Sequence, residues 1–169
     1  MFQVRFYNLL FFLFLLRVNY VASQKKILPV IRENVEITVP REDFHLYLLI
    51  GQSNMAGWSN VEQEDTIGDK RILRLNRDGD WDIAKEPVHF DKKEAGVGPG
   101  LSFAREMLKA DENVTIGLIP CAAGGSGIDH WLYDLFWEQT KSFPYNNALL
   151  RAKISNALRN FKRYLVASG

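Results

Sequence analysis

The chain has 169 residues, with 21 Lys and Arg against 20 Asp and Glu, and a formal net charge of +1. This length suggests one domain. This nearly equal number of positive and negative residues argues against a basic nucleic-acid face and against a polyanionic partner. Cys121 is the only cysteine, which excludes an intramolecular disulfide. It ends an apolar run, so we predict that it is buried as a small hydrophobic residue.

The first 23 residues have the pattern of a secretory signal peptide. Arg5 supplies a positive charge, residues 6–16 form an apolar core, and "VAS" at 21–23 offers small residues before a cut ahead of Gln24. The apolar run is shorter than the roughly 20 residues of a membrane span. We therefore predict a secreted or periplasmic protein that has no membrane attachment after cleavage. An uncleaved N-terminal anchor is the alternative.

The next part of the chain predicts two strands and an irregular region. Asn34–Val39 alternates apolar and polar residues, as a half-buried strand does. Phe44–Ile50 is almost continuously apolar, which is typical of a strand buried on both faces. Residues 59–90 are polar and irregular, with a turn predicted at Asp78-Gly79.

The second half alternates helix and strand patterns. The sequence "GVGPG" at 96–100 precedes a predicted helix with apolar residues at three-and-four spacing over Leu101–Leu108. Val114–Ile119 predicts a second buried strand, and Asn147–Phe161 predicts another amphipathic helix. Strands that alternate with helices predict an α/β fold with a parallel sheet.

A serine follows the first buried strand directly, in the sequence "GQSNM". Ligands of parallel α/β sheets bind at the carboxyl ends of the strands, so the Ser53 hydroxyl can project into the crevice. If a helix starts there, its free N–H groups suit the oxyanion of acyl transfer. The alternative is that Ser53 only caps this helix. These few residues on their own favour the cap.

The second strand runs into a glycine pair, Gly124-Gly125. Glycine lets a backbone N–H approach a ligand without an intervening side chain. One of the pair could therefore donate the second hydrogen bond of an oxyanion hole beside Ser53. The alternative is a tight turn that needs positive φ, and the glycine pair on its own favours the turn.

Three segments in order carry a family resemblance: "FHLYLLIGQSNMAG", "PVHFDKKEAGVGPGLSFA" and "IGLIPCAAGGSGIDHW". Over residues 39–158 the chain resembles the SGNH-type carbohydrate acetylesterases, the family of acetylxylan esterases with the sialate O-acetylesterase domain. The resemblance implies a flavodoxin-like three-layer α/β sandwich, incomplete at its C-terminus, with Ser53 as the nucleophile. It implies an oxyanion hole formed by Ser53, Gly124 and Gly125. Candidate substrate-binding residues are Gln52, Asn54 and His130.

The resemblance also implies a reaction, the removal of acetyl groups from a polysaccharide such as xylan. The partner is then an acetylated carbohydrate, and no metal or organic cofactor is needed. Two other functions stay open: a lipase-like or thioesterase-like hydrolase on the same fold, and a non-catalytic glycan-binding remnant. Sugar rings could stack on four tryptophans: Trp58, Trp81, Trp131 and Trp137.

Two elements of the family pattern are absent from the sequence: "WHQGE", whose glutamine supplies a third oxyanion donor, and a late D-x-x-H, which supplies the base. The three histidines are His45, His89 and His130, and none stands in a D-x-x-H context. We expect none of them to act as the base. We therefore expect this chain to be inactive, and its incomplete sheet to fold poorly.

The last residues do not resemble the family. We therefore divide the chain after the predicted signal peptide into a partial domain at 24–159 and an aberrant tail at 160–169. One codon spelling of the tail, read one base later, translates as "TLKGIWWHQGE", which contains the absent element. We hypothesise a frameshift near residues 157–160, which the nucleotide sequence of the gene tests.

Overall fold

The computed structural model describes residues 30–157 and 163–167. The predicted signal peptide therefore lies outside the described residues. The helices and strands, in chain order, are β1 (Phe44–Gly51), α1 (Ser53–Ala56), β2 (Ile72–Leu75), β3 (Trp81–Ile83), α2 (Pro99–Ala110), β4 (Thr115–Ala122), α3 (Pro144–Ala157) and β5 (Arg163–Ala167). Short 3-10 helices lie at Arg41–Asp43, Glu64–Thr66 and Ile128–Trp131.

The five strands form one sheet in the order β3-β2-β4-β1-β5. β1 is parallel to both β4 and β5, and β2 is parallel to β4. The predicted α/β fold is confirmed, but the sheet is mixed, because β3 is antiparallel to β2. β1 and β4 pair from Phe44 with Thr115 to Gly51 with Ala122, so these two strands end level with each other.

Apolar side chains pack on both faces of this sheet, as the alternation along β1 requires. Tyr47 and Leu49 belong to the cluster that buries α2. Phe44 and Leu46 point the other way, into a cluster with Trp81. Phe44 and Trp81 meet edge to face, with ring centroids 5.2 Å apart. These buried strands fix where the carboxyl ends of β1 and β4 lie.

The predicted strand Asn34–Val39 is wrong, although its pattern has a physical basis. The segment makes only an isolated bridge, between Asn34 and Asp82. Its alternation reflects burial, because Ile37 is in the core while Val35 and Val39 pack against it. A period of two indicates which side chains face inward, and it does not require a paired neighbour.

The sequence prediction missed the hairpin of β2 and β3 inside the region read as irregular. The turn at Asp78-Gly79 was predicted, and Gly79 has a φ of +93°. β2 is buried throughout, including Arg74, whose Nε donates to Asp82 Oδ1 at 3.0 Å. A paired arginine in a strand of four residues breaks the apolar run that would have indicated the strand.

The remaining elements agree with the predictions apart from their ends. α2 begins at Pro99, in the first turn, where a proline is tolerated. α3 begins at Pro144 instead of Asn147, and β4 continues three residues beyond Ile119. β5 lies in the segment read as an aberrant tail; the frameshift itself stays a prediction. No helix in the described ranges is long and apolar enough to cross a membrane.

Candidate active site

Ser53 stands at the start of α1, directly after β1. Gln52 is the capping residue, since its carbonyl accepts from the N–H groups of Met55 and Ala56 at 3.1 and 3.2 Å. No side chain caps this helix, so the alternative reading of Ser53 as the N-cap is wrong. Ser53 is half-buried, and within residues 30–157 and 163–167 its hydroxyl has no hydrogen-bond partner. The hydroxyl is thus available for chemistry.

The turn that carries Ser53 is packed backbone against backbone by the GVGPG segment (Gly96–Gly100). Gly96 N–H donates to Gly57 O at 3.1 Å. Gly57 has a φ of +87°, and a Cβ there would lie 2.4 Å from Val97 O. A Cβ on Gly98 would lie 2.7 Å from Met55 O. Side chains are excluded at these glycines, which allows the segment to hold the Ser53 turn in place.

The glycine pair lies in a turn, Ala123–Ser126, at the end of β4. Ala123 N–H donates to Gly51 O at 2.9 Å, which joins this turn to the end of β1. Ser126 N–H closes it on Ala123 O at 3.3 Å, and Gly125 has a φ of +71°. The positive-φ alternative is therefore confirmed for Gly125. A Cβ on Gly124 would meet nothing within 4 Å, so open space remains beside this residue.

Side chains from the following loop hold this glycine turn. Trp137 Nε1 donates to Gly124 O at 3.1 Å, and Trp131 Nε1 donates to Ser126 Oγ at 3.0 Å. His130 packs on Trp137, with ring centroids 3.7 Å apart. Its Nδ1 accepts from Gly127 N–H at 3.0 Å, which uses the lone pair of that nitrogen. His130 therefore supports the loop through its Nδ1 and through its ring contact with Trp137.

A partly buried ion pair fixes the end of β4 from the other side. Asp91 Oδ2 accepts from Ala122 N–H and from Arg151 Nη1, both at 3.0 Å, and Oδ1 accepts from Arg151 Nη2 at 2.6 Å. Burial opposes ionisation of Asp91, but its polar neighbours, with Arg151 among them, hold the pKa of this carboxyl below its ordinary value. The pair connects α3, β4 and the segment before α2.

His89 lies near this ion pair but is not bonded to it. Its Nδ1 is 3.8 Å from Asp91 Oδ2, which exceeds a hydrogen bond. The residue is 3% exposed, and neither ring nitrogen has a partner within the described ranges. His45 lies in β1 as expected, with Nε2 3.2 Å from Glu42 O. In the part of the chain that the structure describes, no histidine hydrogen-bonds Ser53.

Glu86 is a buried carboxyl under the GVGPG segment. It is 2% exposed, and it accepts from Val88 N–H at 2.9 Å and from Gly98 N–H at 3.4 Å. Burial raises the pKa of Glu86 to about 7, against the two N–H groups, which favour its charged form. Protonation of Glu86 therefore changes the group that accepts a hydrogen bond from Gly98, in the segment that holds the Ser53 turn.

A cavity of about 290 Å³ lies beside the end of β4, between Phe90 and Arg151, and includes the buried Cys121. Neither Ser53 nor the glycine pair lines it, so we do not assign it to the acetyl group. Cys121 is buried as predicted, and this burial raises the pKa of its thiol to about 12. Within the described ranges, no cluster of three or more His, Cys, Asp or Glu residues could hold a metal ion.

The structure thus brings some of the predicted site residues together and leaves others apart. Ser53 and the glycine pair lie on the adjoining ends of two paired strands. Gln52 serves as a helix cap through its carbonyl, and Asn54 is exposed on α1. Sequence reasoning missed the supporting charges, which are Glu86, Asp91, Lys92 and Arg151. Only spatial contacts reveal these residues, because Asp91 and Arg151 are 60 positions apart.

A family model and a sequence relative both point to the carbohydrate esterases. The family model described as carbohydrate esterase, sialic acid-specific acetylesterase, matches residues 43–164. A probable carbohydrate esterase from Arabidopsis thaliana is 38% identical over 116 residues, which covers 57% of this chain and 44% of the relative. The X-ray structure of a protein from Arabidopsis thaliana has a TM-score of 0.61 at 29% identity, covering 73% of this chain and 56% of that one.

The crystal structure of NanS shares the fold, with a TM-score of 0.53 at 18% identity, and covers 78% of this chain and 54% of that one. This chain therefore spans about half the length of the proteins it matches. The family model nevertheless matches well over half of the chain, and it agrees with the resemblance found in the sequence. The protein belongs to the carbohydrate esterases of the sialic acid-specific acetylesterase family.

Proposed function

We propose that this domain is the nucleophile-bearing part of a carbohydrate O-acetylesterase, with Ser53 as the nucleophile. One observation carries the proposal: Ala123 N–H donates to Gly51 O at 2.9 Å. This bond joins the strand end before Ser53 to the glycine turn. The Ser53 hydroxyl has no partner in the described ranges, and Gly124 in that turn has open space beside it. Membership of a carbohydrate esterase family supports ester hydrolysis on a sugar as the reaction class.

The chemistry follows from this arrangement. A base takes the proton of the Ser53 hydroxyl, and the oxygen attacks the acetyl carbonyl. Backbone N–H groups of Ser53 and Gly124 stabilise the oxyanion, since neither donates to a carbonyl in the described ranges. We favour Gly124 over Gly125, because Gln139 fills the space beside Gly125. The base then protonates the leaving sugar oxygen, and water releases acetate from the serine.

The base comes, in this proposal, from the late D-x-x-H that the family resemblance implies. His45, His89 and His130 do not replace it, because none of them bonds to Ser53. Loss of the histidine of a serine hydrolase lowers turnover on the order of a millionfold. The chain by itself should therefore hydrolyse acetyl esters only at a residual rate.

The substrate proposal is an acetylated polysaccharide such as xylan, reached by secretion through the predicted signal peptide. The flavodoxin-like three-layer arrangement belongs to the same proposal. Trp81 is buried in the core, and the indoles of Trp131 and Trp137 donate hydrogen bonds to the glycine turn and its flank. A glycan-binding remnant that uses all four tryptophans is thus disfavoured, and Trp58 alone keeps a largely exposed ring.

The experiment joins residues 24–157 to the part of the Arabidopsis relative that follows the matched region, which we call the completed domain. It should hydrolyse 4-nitrophenyl acetate and acetylated xylan, and Ser53→Ala should reduce both rates to background. Ser59→Ala is the matched control, an exposed serine six residues further on, and it should retain activity. Hydrolysis by the completed domain that survives Ser53→Ala would contradict the proposal.

A further inference from the structure

Trp58 presents an aromatic ring beside the Ser53 turn. It is 61% exposed, which sets it apart from Trp81 in the core. Lys92 Nζ lies 3.2 Å from the centroid of its ring, so the cation covers one face. That nitrogen is buried and has no hydrogen-bond partner in the described ranges. The lysine therefore holds the ring by a cation–π contact and leaves the other face to the solvent.

The backbone on both sides of this ring is fixed. Gly96 N–H donates to Gly57 O and Val97 N–H donates to Ser59 O, both at 3.1 Å. Trp58 stands between these two attachment points. An aromatic ring that is held in place before a ligand arrives loses little conformational entropy on binding. Packing alone does not account for this arrangement, because most of the surface of Trp58 is exposed.

The backbone connects the ring and its lysine to both strand ends of the proposed acetyl site. Gly57, its neighbour, donates its N–H to Ser53 O at 3.0 Å. Lys92 follows Asp91, whose Oδ2 accepts from Ala122 N–H at the end of β4. The indole and its lysine are therefore each attached to one of the two adjoining strand ends. A sugar whose acetyl group reaches Ser53 would have its ring within reach of this platform.

We infer that Trp58, braced by Lys92, is a carbohydrate subsite whose free face stacks on a pyranose ring of the substrate next to the acetylated position. This inference rests on the proposed function and adds the residue that recognises the sugar ring. Stacking on an aromatic face needs no fixed pattern of hydroxyl groups, so the subsite favours a ring shape over one particular sugar. Trp58 is then a binding residue, and Ser53 carries out the chemistry.

The test uses affinity electrophoresis of the chain in gels that contain acetylated xylan, which requires no hydrolysis. Wild-type protein should be retarded, and Trp58→Ala should bind about tenfold more weakly, the loss of about one stacking contact. Trp58→Phe keeps an aromatic face and should stay within about threefold of wild type. Ile67→Ala is the matched control, because Ile67 is 66% exposed and lies outside both turns of the candidate site.

Three results would overturn the inference: no retardation of the wild type, equal binding by wild type and Trp58→Ala, or a loss in Trp58→Phe as large as in Trp58→Ala. Thermal unfolding of each variant confirms that the comparison is between folded proteins. Failure of the proposed function has a separate signature, since it is detected by hydrolysis that survives Ser53→Ala in the completed domain, whatever the binding result.

Discussion

The two strand ends of the candidate site are held in different ways. The Ser53 turn is fixed by backbone contacts between glycines, with Gly57 against Val97 and Gly98 against Met55. The glycine turn after β4 is fixed by side chains, chiefly Trp137 on Gly124 and the Asp91–Arg151 pair on Ala122. The first turn should tolerate no added atoms, whereas the second should depend on charges and hydrogen bonds.

The largest expected effect comes from breaking the ion pair at the end of β4. Asp91→Ala leaves the Arg151 guanidinium without its carboxylate and should lower the free energy of unfolding by about 2–4 kcal/mol, because charged hydrogen bonds are lost at a partly buried position. Urea unfolding at pH 7 measures it. Asp91→Ala combined with Arg151→Met should recover part of the loss, because the unpaired charge is removed as well.

An exposed ion pair gives the matched control for this substitution. Lys109 Nζ lies 2.6 Å from Glu106 Oε1, and both side chains are largely exposed. Glu106→Ala should change stability by about 0–1 kcal/mol, because solvent screens the pair. Equal unfolding free energies for wild type and Asp91→Ala would contradict the role given to the Asp91–Arg151 pair.

The next effect concerns pH and the carboxyl under the GVGPG segment. The pKa of Glu86 rises from 4.5 to about 7 in the folded protein, so the folded state holds this proton more tightly than the unfolded state. Its contribution to stability is therefore complete below pH 4.5 and is lost as the pH rises through 7. From the two pKa values the loss is about 3 kcal/mol between pH 4.5 and pH 8.

Urea unfolding at several pH values tests this dependence in wild type and in Glu86→Gln. The informative quantity is the difference between the two proteins, because contributions that they share cancel. The free energy of unfolding of the wild type minus that of Glu86→Gln should fall as the pH rises from 5 to 8, because only the wild type loses the buried proton. Parallel pH profiles for the two proteins would show that Glu86 ionises as it does in the unfolded chain.

The smallest effect comes from adding one methyl group at each turn. Gly57→Ala places a Cβ 2.4 Å from Val97 O at a φ of +87° and should cost about 1–3 kcal/mol. Gly124→Ala meets nothing within 4 Å and should change stability by about 0.5 kcal/mol or less. Thermal and urea unfolding of the two variants compare the turns directly. A Gly124→Ala variant as unstable as Gly57→Ala would remove the distinction between them.

The sequence was sufficient for the parts that depend on local pattern. The apolar runs predicted β1 and β4, Pro99 marked the start of α2, and the glycine pair indicated a turn. The motif order identified the family, which the comparison with the family model confirms. Each of these features depends on residues that are close together in the chain, which is why one sequence was enough.

Features that depend on distant residues could not be predicted. Arg74 hid the short strand β2, because its partner Asp82 lies on the next strand. Nothing in the sequence pairs Asp91 with Arg151, or places Lys92 over Trp58. A buried charge is recognisable only through its partner, and that partner is set by the fold.

The most direct test of the central claim is to trap the acetyl-enzyme. The completed domain should be mixed with 4-nitrophenyl acetate, quenched in acid before the steady state and digested with trypsin. Mass spectrometry should find one acetyl group on the peptide of residues 42–70, and fragmentation should locate it on Ser53. An active domain that carries the acetyl group on another residue, or on none, would contradict the account.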